Sequence, residues 1–132
     1  MTGSLHGKTV LVTGASGFIG GHLCRRLARE GAHIHGIWHT HLPQKGNGIH
    51  WHRCNVEDHG ALAGIFRQAK PDVVFHLSSV VTGSRERAMV MPTLRGNLVS
   101  TINLQDLASE QGCERVVLAG SLEEGGSGDA PA

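Results

Sequence analysis

Three glycines stand three residues apart in the stretch Val12-Thr13-Gly14-Ala15-Ser16-Gly17-Phe18-Ile19-Gly20. The stretch follows a short β-branched apolar run, residues 9–13, which is typical of a strand buried on both faces of a parallel sheet. After it, apolar residues recur at i+4 from Ile19 to Leu27, and Gly31 offers a C-cap. The sequence therefore predicts a strand, a tight glycine turn and an amphipathic helix.

Each glycine of this turn has a predicted role. Gly14 permits the sharp exit from the strand, Gly17 lets backbone amides approach a ligand without an intervening Cβ, and Gly20 lets the helix lie close to the sheet. The first amides of a helix and its dipole favour an anion at that end. Because a strand precedes the turn and a helix follows it, we expect residues 14–20 to bind the pyrophosphate of a dinucleotide.

Strands and helices alternate along the rest of the chain. Apolar and β-branched runs predict further strands over residues 33–38, 49–54, 72–77 and 115–119. This alternation predicts an α/β fold, a Rossmann-type doubly wound parallel sheet of five strands in the order 3-2-1-4-5.

Two further helices carry predicted buried faces. The first ends before Pro71, and its buried positions are Leu62, Ile65, Phe66 and Ala69. The second extends over about residues 88–111, with Pro92 as an alternative start. Its predicted inward positions are Leu94, Leu98, Ile102 and Leu107.

Composition excludes several classes of protein. The 132 residues fit one domain, and a charge of +1 without a basic stripe argues against a nucleic-acid partner. No apolar run reaches the length of a membrane span, and three distant cysteines are typical of reduced thiols, so we expect no membrane partner and a cytoplasmic location. We expect residues 1–122 to form the dinucleotide-binding domain and residues 123–132 to form a flexible tail.

Four segments carry a resemblance to a known family. Residues 13–20, TGASGFIG, are similar to a TGxxGFIG turn, and Asn55-Val56-Glu57-Asp58 resembles a D-[LV]-x-D segment. Residues 71–79, PDVVFHLSS, are similar to PDVVFHLAA, and Asn97 in NLVSTINL matches the first Asn of N-x-x-G-T-x-N-L. These are motifs of the extended short-chain dehydrogenase/reductases, or NAD-dependent epimerase/dehydratases, and the resemblance covers nearly the whole chain. Many members of that family act on nucleotide sugars.

The resemblance implies an NAD or NADP cofactor, a small-molecule substrate and a set of binding residues. It assigns the glycine turn to the phosphates, the segment at Asn55 to adenine, the end of the fourth strand to phosphates and ribose, and Asn97 to the nicotinamide side. With His39 added, the candidate cofactor-binding residues are Gly14, Ser16, Gly17, Phe18, Ile19, Gly20, His39, Asn55, Val56, Leu77, Ser78, Ser79 and Asn97.

The end of the second strand departs from the NAD-binding pattern. A carboxylate there would bind the ribose hydroxyls of NAD, but this chain has Trp38 and His39. A protonated His39 is able to meet a 2′-phosphate, whereas a lone exposed histidine is often simply solvated. The choice between NAD and NADP stays open at this stage.

The catalytic pattern is incomplete. Residues 118–125 resemble the family's strand end SS-x-E-x-YG, which places Ser121 at the position of the catalytic Ser or Thr. Family chemistry also requires a Tyr with a Lys four residues later, but the chain has no tyrosine and its last lysine is Lys70. Two hypotheses follow: the cofactor-binding portion of a larger epimerase, dehydratase or reductase, or a non-catalytic dinucleotide-binding module such as a redox sensor.

Ten histidines raise the question of a metal site. The pairs are His33 and His35, His39 and His41, and His50 and His52; spacing by two places both rings of a pair on one face of a strand. Zinc requires a third or fourth converging ligand, so we predict no metal site and assign the histidines to solvated edges. A further expectation is that the long helix is partly uncovered, which would favour a homodimer or aggregation through that face.

Overall fold

The computed structural model describes residues 4–43, 48–80 and 86–120. Its five strands are β1 (Thr9–Thr13), β2 (His33–Trp38), β3 (His50–Arg53), β4 (Val73–His76) and β5 (Arg115–Leu118). All four strand pairings are parallel, and the order across the sheet is β3-β2-β1-β4-β5. The predicted Rossmann-type fold and strand order are confirmed.

Helices cover both faces of the sheet because β1 is apolar on both. Val10 and Val12 pack with Leu27 and Cys24 of helix α1 (Phe18–Arg29) in one cluster. On the opposite face, Leu11 packs in a second cluster with helix α2 (His59–Ala69) and with helix α4 (Ser100–Gln111). A strand buried on both sides in this way is the reason for the continuous apolar run at the start of the sequence.

Helix α2 ends before Pro71, as predicted, and a side chain caps its first turn. The Asp58 carboxylate accepts a hydrogen bond from the Ala61 amide at 3.1 Å, which caps the N-terminus. At the other end Lys70 adopts the left-handed conformation, with φ of 47°, immediately before Pro71. The four predicted inward residues, Leu62, Ile65, Phe66 and Ala69, are all buried.

The long helix has a different buried face from the predicted one. It consists of a 3₁₀ turn (Arg87–Met89), helix α3 (Val90–Thr93), a π-helical segment (Leu94–Val99) and α4. Leu107 is buried as predicted, but Leu94, Leu98 and Ile102 are 41%, 51% and 56% exposed, so that prediction is wrong for these three residues.

Polar residues take the inward positions instead. Ser100 is fully buried and donates to the Gly96 carbonyl at 2.6 Å, while the Asn103 amide donates to the carbonyls of Val56 and Glu57 at 3.0 Å each. The wider π turn also rotates the following residues about the helix axis relative to a continuous α-helix. The apolar i+4 spacing therefore traces an exposed stripe rather than the core.

No helix within residues 4–43, 48–80 and 86–120 has the length and apolar character needed to cross a bilayer. The predicted flexible tail, residues 123–132, lies outside the described residues, as does Ser121.

Candidate functional site

A cleft of about 460 Å³ opens at the carboxyl ends of β1, β2, β3 and β4. This is the edge at which open α/β sheets bind ligands, next to the point where the strand order reverses between β1 and β4. The lining residues come from the glycine turn, the exits of these strands and the π-helical segment. They are Gly14, Ser16, Gly17, Ile37, Trp38, His39, Thr40, His41, Cys54, Asn55, Val56, Glu57, Leu77, Ser78, Ser79, Val80 and Gly96.

The glycine turn forms one wall of this cleft because two of its residues cannot carry a Cβ. Gly14 has φ of 65°, and a Cβ there would lie 2.9 Å from the Ser78 amide nitrogen. A Cβ on Gly20 would overlap the Gly14 carbonyl oxygen and lie 2.8 Å from the Ala15 Cα. The first turn of α1 thus sits directly against the end of β1, as the spacing of the glycines predicts.

Gly17 is the N-cap of α1 and lines the cleft. Because glycine has no side chain, none caps the amides of the first helical turn, and these lack intrahelical acceptors. The amide of Gly17 itself donates to the Gly14 carbonyl at 3.0 Å, which closes the turn. The helix N-terminus therefore presents backbone donors, with no acidic residue in its first turn.

Nine of the thirteen candidate cofactor-binding residues line the cleft. They are Gly14, Ser16, Gly17, His39, Asn55, Val56, Leu77, Ser78 and Ser79. Phe18, Ile19, Gly20 and Asn97 do not line it; the side chains of Phe18 and Ile19 are 83% and 69% exposed. Of these four, the first three lie in the first helical turn next to the cleft, where their backbone rather than their side chains is the relevant group.

The opposite wall is the exit of β4, residues 77–80, and a buried polar network fastens it. The Thr13 hydroxyl accepts hydrogen bonds from the amides of Leu77 and Ser78 at 3.0 and 3.1 Å, and it lies 2.7 Å from His76 Nδ1. His76 Nε2 lies 3.3 Å from the hydroxyl of Ser100 on α4. Burial lowers the pKa of His76 below its ordinary value of 6.5.

Sequence reasoning did not select Thr13, His76 and Ser100 as functional residues. Thr13 and His76 are register partners, each the last residue of its strand, and both are polar in otherwise apolar runs. A polar residue at the end of each of two predicted neighbouring strands is the sequence feature that would have pointed to this network.

Asn97 holds the same wall from the helix side. Its side-chain carbonyl accepts from the Val80 amide at 2.7 Å, and its amide donates to the Val80 carbonyl at 3.0 Å. Gly96 is needed beside it, since a Cβ there would overlap the Val80 side chain. The structure therefore shows Asn97 binding the chain's own backbone, where the resemblance assigned it to the nicotinamide side.

The exits of β2 and β3 form the far end of the cleft. Trp38 carries the Arg53 guanidinium 5.3 Å from its ring centroid, and His39 follows it, exposed, on the cleft lining. Asn55 exchanges two hydrogen bonds with Glu57: its amide donates to the carboxylate at 2.9 Å, and its side-chain oxygen accepts from the Glu57 amide at 3.0 Å. Among the described residues that line the cleft there is no lysine or arginine, so in this part of the chain backbone amides and the dipole of α1 are the groups able to meet an anion.

Histidines of β2 and β3 gather on the sheet face that α2 covers. His35 Nδ1 lies 2.9 Å from His52 Nε2, and the His35 ring stacks on His50 with centroids 4.9 Å apart. Burial, and then the neighbouring imidazoles, lower the pKa of His35 to about 4. No group of three or more His, Cys, Asp or Glu side chains converges as metal ligands within the described parts of the chain.

Comparison with known proteins identifies the family. The family model described as the NAD dependent epimerase/dehydratase family matches residues 10–132. The chain belongs to this family. The matched range includes the glycine turn, the β4 exit and the long helix, so it contains both walls of the cleft.

Two epimerase/dehydratase relatives illustrate the range of the family. A UDP-glucose 4-epimerase of Cyamopsis tetragonoloba is 27% identical over 93% of this chain, and a dTDP-4-dehydro-6-deoxy-D-allose reductase of a Streptomyces species is 30% identical over 89% of it. The chain spans 39% of the length of each of these relatives.

Solved structures of epimerases share the fold. The UDP-glucose 4-epimerase of Stenotrophomonas maltophila, with bound NAD and formylated UDP-arabinopyranose, superposes with a TM-score of 0.77 at 18% identity, over 87% of this chain and 37% of that one. The epimerase Mth375 of Methanothermobacter thermautotrophicus has a TM-score of 0.75 at 25% identity, over 95% of this chain and 40% of that one.

Proposed function

We propose that this chain binds NAD or NADP in the cleft, with the pyrophosphate against residues 14–20. The observation that carries the proposal is that the N-terminus of α1, capped by Gly17, opens on the cleft at the strand-order reversal. Membership of the NAD-dependent epimerase/dehydratase family supports it. The chain would then be the cofactor-binding portion of an epimerase, dehydratase or reductase that acts on a small molecule, a nucleotide sugar in the leading version.

The rest of the dinucleotide would lie along the lining. In this proposal Asn55 and Val56, which line the cleft at the exit of β3, would flank adenine. His39 would face the adenine ribose, where it admits a 2′-phosphate because the chain has no carboxylate at that position. Leu77, Ser78 and Ser79, across from the glycine turn, would border the phosphates and the second ribose.

Catalysis requires more than these residues supply. Ser121 is the proposed catalytic hydroxyl, but an isolated hydroxyl has no base to activate it, and the sequence contains no tyrosine. We propose that this chain alone binds the cofactor without turning over substrate, and that it does so in the cytoplasm with no nucleic-acid or membrane partner.

The test separates binding from folding at a single residue. Gly17→Asp places a carboxylate at the N-cap, a position where Asp stabilises helices, so the protein should stay folded. The same carboxylate would repel a pyrophosphate and would compete with it for the amides of the first helical turn. We therefore expect affinity for the preferred cofactor to fall by about 100-fold or more. Calorimetry with NAD+, NADH, NADP+ and NADPH measures this and also identifies the preferred cofactor.

Gly17→Asn is the matched control because it has the same shape without the charge. It should lose distinctly less affinity than the aspartate variant. Equal affinity of the wild type and a folded Gly17→Asp variant would refute the proposal. Tight binding by the wild-type chain would favour the sensor alternative over a portion of an enzyme.

We also propose that a second copy of the chain covers the exposed apolar stripe of the long helix. The stripe is formed by Val90, Met91, Leu94, Leu98 and Ile102, all at least 41% exposed. Two antiparallel copies of one helix face are self-complementary, which suits a two-fold dimer. Sedimentation velocity should show a dimer that Leu98→Glu dissociates and that Leu42→Glu, an exposed leucine elsewhere, leaves intact. A monodisperse monomer at all concentrations would contradict the dimer.

A further inference from the structure

The hydrogen bonds around His76 have only one consistent direction. The Thr13 hydroxyl already accepts from two backbone amides, those of Leu77 and Ser78, and these occupy both of its lone pairs. Its own proton must therefore point along the 2.7 Å contact to His76 Nδ1, which accepts it. An accepting Nδ1 carries no proton.

The other ring nitrogen must then be the donor. The Ser100 hydroxyl donates to the Gly96 carbonyl at 2.6 Å, so it is free to accept, and His76 Nε2 donates to it at 3.3 Å. The whole network runs from the β4-exit amides through Thr13, His76 and Ser100 to a carbonyl of the π-helical segment. It requires a neutral His76 with its proton on Nε2.

This network joins three pieces of the cleft. Thr13 is followed directly by Gly14 of the glycine turn, Ser78 belongs to the β4 exit, and Gly96 lies in the π-helical segment; the last three of these residues line the cleft. The Ser100 hydroxyl donates to the Gly96 carbonyl, which ties the π-helical segment to the network. The buried hydrogen bonds of this network therefore hold the cleft walls in position.

We infer that His76 is a positioning residue, which keeps both walls of the cleft in their binding geometry only while its imidazole is neutral. Resting on the proposed function, this inference adds a regulation of the same site. A second proton would have to sit on Nδ1 and point at the Thr13 hydroxyl hydrogen. Thr13 would then turn its hydroxyl, accept from the imidazolium and release the amide of Leu77 or Ser78, next to Gly14.

Within residues 4–43, 48–80 and 86–120, no charged side chain bonds to the His76 ring. The groups that meet its two nitrogens are the hydroxyls of Thr13 on β1 and Ser100 on α4, and its register partner on β5 is Leu118. Its lowered pKa has burial as its cause, with no contribution from a charged neighbour. The effect on the cleft therefore belongs to mildly acid pH, below the ordinary range of histidine.

The first experiment reads the network in the ligand-free chain. Long-range ¹H–¹⁵N spectra of the His76 ring at pH 7.5 should show an unprotonated Nδ1 and a protonated Nε2. As pH falls, the backbone amide signals of Leu77, Ser78 and Gly96 should shift with the His76 titration. A proton on Nδ1 at pH 7.5, or amides that do not follow His76, would overturn the inference whether or not the chain binds a dinucleotide.

The second experiment reads the consequence for binding. His76→Asn keeps an acceptor for Thr13 and cannot titrate, so it is the reference against which the pH dependence of cofactor binding by the wild type is measured. As pH falls through the His76 titration, the wild type should lose affinity relative to His76→Asn, towards a limit on the order of tenfold for the fully protonated form, the equivalent of about one hydrogen bond. A ratio that stays constant with pH sinks the inference, while absence of binding at pH 8 in the wild type sinks the proposed function instead.

Discussion

The two walls of the cleft are built in opposite ways. The glycine turn holds its shape because side chains are absent, since a Cβ on Gly14 or Gly20 would meet backbone. The β4 exit holds its shape because polar side chains are present, with Thr13 accepting two of its amides and Asn97 binding Val80. On the first wall the tightest approach, Gly20 against the Gly14 carbonyl, lies within one short stretch of sequence, whereas the second wall joins Thr13 and His76, which are 63 residues apart. A local steric rule can be read from a sequence, and a distant polar partnership cannot.

Breaking the glycine wall should have the largest effect on stability. Gly20→Ala places a Cβ against the Gly14 carbonyl, and the clash can be relieved only by moving backbone of the turn or of the helix. We therefore expect a loss of about 3–5 kcal/mol in the free energy of unfolding. Gly21→Ala is the matched control: its Cβ would meet only the Arg25 guanidinium at 3.8 Å. That variant should be neutral or gain up to about 1 kcal/mol from helix propensity. Urea unfolding measures both; equal stability of the two variants would contradict the steric account of this wall.

The helix beneath the second wall gives the next largest effect. Leu104 is fully buried in the cluster shared by α2 and α4, so Leu104→Ala should cost about 3 kcal/mol. Leu98, one of the residues predicted to face inward, is 51% exposed, so Leu98→Ala should change the stability of the monomer by less than about 0.5 kcal/mol. Thermal unfolding at low protein concentration checks the pair. A larger loss of stability in Leu98→Ala would mean that Leu98 is buried, as the apolar spacing predicts.

Removing one hydroxyl should loosen the β4 exit by a smaller amount. Thr13→Val keeps the shape of a β-branched strand residue but leaves two amides and His76 Nδ1 without their partner, at a cost of about 2 kcal/mol. Thr9→Val, at the other end of the same strand, should cost less than about 0.5 kcal/mol. Chemical denaturation of both variants provides the comparison, and hydrogen exchange should show faster exchange of the Leu77 and Ser78 amides in Thr13→Val alone. Unchanged exchange at those amides would mean that Thr13 does not hold the wall.

The smallest effect lies at the β2–β3 edge, outside both walls. The pKa of His35 is lowered from 6.5 to about 4 in the folded protein, so the unfolded chain takes up a proton first as pH falls. Stability from this group is therefore complete above pH 6.5 and is lost progressively between pH 6.5 and about 4. The melting temperature should fall across this window less steeply in His35→Gln than in the wild type, while His33→Gln, an exposed histidine on the same face, should keep the wild-type slope. If the melting temperature falls with pH equally steeply in all three proteins, His35 is not the cause of the loss of stability.

Most of the fold was predictable because local rules agree with one another. The glycine spacing, the doubly buried β1 and the Pro71 stop all specify the same alternation, and the strand order follows from right-handed crossovers. The length of the long helix was predictable, but the side of it that faces the core was not. Its apolar stripe at Leu94, Leu98 and Ile102 has the spacing of a buried face. The inward side is revealed by distant hydrogen-bond partners, which are His76 for Ser100 and the Val56 and Glu57 carbonyls for Asn103.

The candidate site divides in the same manner. Gly14 and Gly20 were identified because backbone geometry limits which residue fits there. Asn97 was assigned a ligand role by its motif, yet its amide binds the chain's own backbone at Val80. A sequence motif alone does not show whether a polar side chain forms its hydrogen bonds with a ligand or with the protein.

The parallel pairing of every strand also has a consequence for how the chain folds. No two strands can form a hairpin, so each pairing requires a crossover segment to be closed first, and closure entropy slows such topologies. The central strand β1 has β4 as one of its two neighbours, and β4 ends at His76. During synthesis, one edge of β1 must therefore wait until β4 has left the ribosome, and in this interval the nascent protein most needs protection from aggregation.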